Sequence, residues 1–303
     1  MSSVHVSTSR TNSDQTLDRL SQAVRGYFLA NPSHAAIFVP ILRGEALENY
    51  DFDNLHSISY SKYARELGDI KSFIEHNFPS PTVSPLDKTC GHCKACMVEK
   101  SNIELHGRLV AALSATRDMD TIINLRFILA VIIIHCLAHT FAVGNPMPVR
   151  IDDYPFYKCN YLFLARDIAE PGFFAEEGIF GGIIGIVFKD QENGMPPRFL
   201  EADFTKIAYL FLLDRTGAAY RLNTGELREQ LKSHRFGRFT NTRHIELPRK
   251  IIERTCAAFN GDHLPIKRVG AGRAPDWLEA IIEHGDLEYT DDRFHHECVH
   301  FMN

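Results

Sequence analysis

Phe127-Ile-Leu-Ala-Val-Ile-Ile-Ile-His135-Cys136-Leu-Ala-His139 is the stretch on which the fold turns. No formally charged residue occurs between Phe127 and Val149, a length that could span a bilayer. The run nevertheless holds His135, Cys136, His139 and Asn145, which are costly in hydrocarbon, and then Pro146 and Pro148. A buried core helix ending near Gly144 is the expectation, with no membrane span. On that helix positions i and i+4 share a face, so the imidazoles of His135 and His139 can grip one metal ion. Zinc hydrolases use this spacing in H-E-x-x-H, where the Glu activates water. Here Cys136 stands at the Glu position.

Zinc needs a third protein ligand, and a catalytic site keeps a fourth position open. The richest source lies about thirty residues after His139, in Glu170-Pro-Gly-Phe-Phe-Ala-Glu176-Glu177-Gly-Ile-Phe-Gly-Gly182. A short helix over Ile168–Ile179, closed by Gly181-Gly182, would carry these carboxylates. Glu170 and Glu177, seven apart, fall on one of its faces. That spacing suits a second helix returning to pack beside the first.

Taken together, Arg126-Phe-Ile-Leu-Ala-Val-Ile-Ile-Ile-His135-Cys136-Leu-Ala-His139 and Glu170-x-Gly-x-x-x-Glu176-x-x-Ile-Phe-Gly-Gly182 resemble the motifs of a largely uncharacterised fungal zincin-like family. Its members read R-F-x-L-A-x-x-x-x-H-E-L-A-H, then E-x-G-x-x-x-E-x-x-[LIV]-F-G-G. The resemblance covers about residues 100–190, roughly a third of the chain. It implies a metallopeptidase-like architecture with His135, His139 and Glu170 as zinc ligands. Glu176 then orients a ligating histidine, since such rings usually donate their other N–H to a carboxylate. The family's general base falls at Cys136, whose side chain is too short to reach in sideways from the i+1 position. The resemblance therefore leaves Glu176 or Glu177 to act as base, or leaves the site without one.

The surrounding sequence gives one large mixed domain. Residues 1–15, rich in Ser, Thr and Asn, read as a disordered tail. A first helix is expected over 18–29, with Leu17, Leu20, Val24 and Phe28 at helical spacing. The apolar run 35–42 reads as a strand that Pro40 confines to an edge or an end. A helix over 61–77, a loop over 78–85 and an amphipathic helix over 103–116 follow. Asp120 is the expected cap of the long helix. Strands are expected at 183–188 and in the apolar run 207–213. Helices are expected at 225–232, at 247–260 before Gly261, and at 275–284 before Gly285. The fold class is α+β, mainly α, a single zincin-like domain over 16–303 with its motif core at about 100–190.

Composition narrows the functional classes. Of 303 residues, 45% are hydrophobic and 23% charged, as in ordinary globular proteins. The net charge of −5 and the lack of a Lys/Arg block argue against a nucleic-acid partner. Seven cysteines are too sparse for a disulfide scaffold, and the N-terminal residues hold no apolar signal core. A reducing, cytoplasmic setting is the expectation. Oligomeric state is not legible.

Two further clusters can bind metal. Cys90-Gly-His92-Cys93-Lys-Ala-Cys96 offers three thiols for a second, structural zinc, with His92, His106 or a distant cysteine as fourth ligand. An ordinary reduced loop is the plainer reading. A redox dithiol is disfavoured by the Pro-rich loop before it. His295-His-Glu-Cys298-Val-His300 holds further ligand types near the end of the sequence. The activities expected of the central site are metal-dependent hydrolysis of a peptide or amide bond, or a silent binding or scaffold role. A third is biosynthetic chemistry on a small molecule, hinted at by the aromatics at 154–163.

Overall fold

The computed structural model describes residues 12–30, 32–43, 63–83, 95–99, 102–143, 171–189, 202–214, 216–248 and 251. Within them the chain is mixed helix and sheet, mainly helical. Eight helices, α1 (Asn12–Ala30), α2 (Pro32–Ala35), α3 (Phe38–Arg43), α4 (Ala64–His76), α5 (Gly107–Ala115), α6 (Met119–Val143), α7 (Pro171–Phe180) and α8 (Thr224–Ser233), surround two small sheets. The first sheet joins β1 (Ser80–Val83), β2 (Ala95–Glu99) and β3 (Asn102–Leu105) in the order β1-β3-β2, with β1 parallel to β3. The second is an antiparallel meander of β4 (Ile183–Phe188), β5 (Ile207–Leu213), β6 (Ala219–Leu222) and β7 (Thr242–Ile245).

Helix α6 is the axle. Every residue from Phe127 to Ile134 is buried, on all sides of the helix rather than on one stripe. A helix apolar all round must be covered all round. The coverage comes from α1, α3, α7, α8 and β5. Met119–Ala138 is long and apolar enough to cross a membrane, yet 89% of its most apolar window is buried inside the fold. The surrounding helices show narrower stripes. In α4 the buried positions Leu67, Ile70 and Ile74 follow helical spacing. In α1 Leu17, Leu20, Val24 and Phe28 do the same.

Several expected elements are corrected. The run 35–42 is no strand: it forms the end of α2, a turn and most of α3. Pro40 is the third residue of α3, where its missing N–H costs nothing because first-turn donors have no partner within the helix. The expected loop 78–85 contains β1, and the expected helix 103–116 is split. Ile103 and Leu105 belong to β3, and His106 caps α5 by accepting the Arg108 N–H at 3.2 Å. The head of α6 is set by Asp118, not Asp120. Asp118 accepts from Asp120 N at 3.3 Å and from Thr121 Oγ1 at 2.6 Å. Helix α1 starts at Asn12, inside the segment expected to be a disordered tail.

Pro171 opens α7 and Gly181 closes it. Gly181 takes φ = +88°, the left-handed conformation that glycine adopts without strain, and its N–H donates to Glu177 O at 2.8 Å. Gly182 then lets β4 start hard against β5, because a Cβ there would overlap the Leu213 carbonyl. This sharp turn brings the end of α7 and the start of β4 together beside α6. Of the helix expected over 247–260, Leu247 and Pro248 lie outside any helix and Ile251 is helical, and its remainder, the helix expected over 275–284, the aromatics at 154–163, Cys90, Cys93, Cys298 and the histidines near 300 lie outside the described residues. Cys96 lies in β2.

Candidate metal centre

Helix α7 packs against α6, and the two meet at His135. His135 Nδ1 lies 2.8 Å from Glu176 Oε1, a contact between positions 41 apart in sequence. The other carboxylate oxygen, Oε2, accepts the backbone N–H of Ile184 at 2.9 Å. One side chain of α7 thereby ties α6 to the start of β4. Glu176 is fully buried and His135 is 7% exposed, so the pair is shielded from bulk water. In so dry a place a charged group survives only if its lone pairs are engaged, and both oxygens here are. A neutral imidazole that donates from Nδ1 to this carboxylate carries its lone pair on Nε2, the form a ligating histidine takes.

Two neighbours on α7 fix the ring. Phe173 stands edge-on to it, with centroids 5.5 Å apart at 79°. Gly172 lies so close that a Cβ built there would overlap the imidazole ring atoms. Gly172 and Glu176 are i and i+4, so one face of α7 supplies both the gap for the ring and the acceptor for its N–H. Neither Gly172 nor the Ile184 N–H was named from sequence as part of the site. The glycine was visible four positions before Glu176. The backbone donor has no side-chain signature to find.

The other expected site residues are placed as follows. Cys136 follows His135 on α6 and is a buried, reduced thiol, 5% exposed. Its carbonyl accepts from Thr140 Oγ1 at 3.1 Å. Glu177 is buried on α7, four positions after Phe173 and on the same stripe as that ring. The backbone of His139 continues α6, four residues and about 6 Å along the axis from His135. The His139 side chain and Glu170 lie outside the described residues. Among the described residues no group of three or more His, Cys, Asp or Glu converges as a metal cluster.

No protein-family model, curated protein or solved structure matches the chain.

Proposed function

We propose that the chain is a zincin-like protein that holds zinc through His135, His139 and Glu170, with Glu176 orienting His135. The observation that carries this reading is the His135–Glu176 contact anchored a second time on Ile184 N–H. Histidines that ligate a metal almost always donate their other ring N–H to a carboxylate or carbonyl, and a carboxylate held by a second bond fixes the ring's orientation. The donor set fits zinc, which takes imidazole nitrogen and carboxylate oxygen in a four-coordinate shell.

Zinc bound there would polarise a carbonyl and acidify water, the chemistry of peptide or amide hydrolysis. The chain's own residues divide the remaining work. Both oxygens of Glu176 are engaged, which supports a positioning role for it rather than that of a base. Cys136 is buried and one step round the helix from the metal-facing stripe. Of the two acids that the resemblance offers as base, Glu176 or Glu177, this assigns the role of moving a proton to or from substrate to Glu177. This reading goes with a peptide-like substrate and a cytoplasmic, reducing setting in which Cys136 stays a thiol.

A second reading is a binding or scaffold protein that retains the metal and has lost turnover. The burial of Cys136 where the resemblance expects a general base favours it. A positioned base is worth about 10²–10⁴-fold in rate. Cys136→Glu separates the two. A gain in peptide hydrolysis of that order identifies a silenced hydrolase. If wild-type protein already cleaves peptides, Glu177→Gln should slow it by a similar factor, and an unchanged rate would remove Glu177 from the reaction. The thiols Cys90, Cys93 and Cys96 enter the proposal as a second, structural zinc. Alanine at Cys96 then lowers the metal content by one ion, without touching the His135 site.

A further inference from the structure

The second sheet carries an unusual pairing between β6 and β7, its last two strands among the described residues. Arg221 of β6 and Arg243 of β7 are direct cross-strand partners. Side chains of such partners leave the same face of a sheet, and like charges placed opposite one another are destabilising. Both arginines are exposed, and among the described residues neither makes an ion pair with a carboxylate. Arg221 instead lies over the ring of Tyr209, 4.5 Å from its centre. The cross-strand row runs on from the two cations to Phe211 and Gly185, which are buried, so the apolar surface beside the charged edge is the half-buried Tyr209 ring under Arg221. Around it, residues 219–245 hold six Lys/Arg and two Glu, in a chain whose net charge is −5. Both oxygens of Glu226 are taken by the backbone N–H groups of Thr240 and Asn241.

The complement to this surface is in the same sequence. Pro275-Asp-Trp277-Leu-Glu-Ala-Ile-Ile-Glu-His-Gly-Asp-Leu-Glu-Tyr-Thr-Asp-Asp292 has seven carboxylates and no Lys or Arg. It also has Trp277, whose indole can stack on the exposed cations and the half-buried Tyr209 ring. It begins about thirty residues beyond β7, a tether short enough to hold it at high effective concentration near the β6–β7 edge. We propose that the segment 275–292 docks on the β6–β7 face of its own chain, its carboxylates relieving the opposed Arg221 and Arg243. The contact needs neither the zinc ligands nor their partners.

Trp277 is the only tryptophan, so its emission in the full chain reports the segment alone. Docking predicts emission to the blue of a solvated indole. It also predicts a red shift on raising salt, because exposed charges are screened within about 10 Å at 0.1 M. The double variant R221S/R243S should show the red-shifted spectrum without salt, and R221K/R243K should keep the wild-type one. A variant with D286N, E288Q, D291N and D292N leaves β6 and β7 untouched and should also shift to the red, which covers a loss of folding in R221S/R243S. Emission identical in wild-type and both neutralised proteins, or indifferent to salt, overturns the proposal. A shift that disappears on dilution assigns the segment to a second copy and overturns the intramolecular contact.

Discussion

His135 on α6 and Glu176 on α7 are joined by a 2.8 Å hydrogen bond between a ring that is 7% exposed and a carboxylate that is not exposed at all. The second carboxylate oxygen is fixed by Ile184 N–H, so the acid cannot turn away without stranding a backbone donor. The pair is thus a structural joint as well as the orienting element of the proposed zinc centre, and its removal is expected to show in both stability and metal affinity.

Glu176→Gln keeps the shape but turns an acceptor into a donor facing either Nδ1–H or Ile184 N–H. One buried donor then loses its partner, at a cost of about 1–3 kcal/mol. Chemical denaturation should find the midpoint lowered with an unchanged slope. Zinc affinity should fall about 10–100-fold, as it does when a ligand's outer partner is lost. A variant with wild-type stability and affinity would show that the contact orients nothing.

Gly172→Ala tests the packing on the other side of the ring. The added methyl overlaps the imidazole, so the ring or α7 must move. Overpacking of this kind costs about 1–3 kcal/mol. Ring resonances of His135 should shift, and zinc affinity should drop with them. Gly26 on α1 has open space at its Cβ position, and Gly26→Ala should be tolerated in the same assays.

Much of this arrangement was legible in the sequence because it rests on side-chain type and helical spacing. Eight consecutive apolar residues before His135 announced a buried helix, and α6 ends within a residue of Gly144. Glu176 came from the resemblance carried by Glu170-x-Gly-x-x-x-Glu176, whereas helical spacing alone singled out Glu170 and Glu177. The run 35–42 misled because a short apolar segment has no periodicity to separate strand from buried helix. Pro40 reads in sequence as a strand breaker, yet it sits harmlessly in a first helical turn. The sequence offered His106 as a fourth zinc ligand and hid its capping role for another reason. A histidine whose Nδ1 caps a helix looks, in sequence, like any polar residue inside an amphipathic run.

His106 supplies a pH dependence. It is 1% exposed, and burial, aided by the nearby Arg108 charge, pushes its pKa down from 6.5 to about 4. The folded state therefore binds this proton less readily than the unfolded chain. Its effect on stability is absent above about pH 6.5 and grows unfavourable as pH falls toward 4, reaching on the order of 3 kcal/mol. His106→Asn retains an acceptor for Arg108 N–H without a titrating ring. Denaturation midpoints measured between pH 7 and 4 should fall less steeply in the variant. Parallel curves would show that His106 is not a source of the acid sensitivity.

Asp118 should behave in the opposite sense. Hydrogen bonds from Thr121 and then Lys189 hold its carboxyl below the ordinary carboxylate range. Its contribution is present above that range and is lost as pH falls through the lowered pKa. Asp118→Ala removes the cap of α6 and the 3.3 Å contact to Lys189 Nζ, and should lower Tm by a few degrees at neutral pH. Asp120→Ala should do less, since among the described residues the Asp120 carboxylate receives a long contact from Arg228, 3.8 Å away. Thermal melts of the two variants side by side decide between the two acids as the cap.

The most direct test of the central claim is the zinc content of purified protein, in wild-type and in His135→Ala, after metal stripping and reloading. The account predicts that wild-type regains an ion which His135→Ala, folded by circular dichroism, fails to hold. Wild-type protein that takes up no zinc, or a folded His135→Ala protein that holds as much as wild-type, would contradict it.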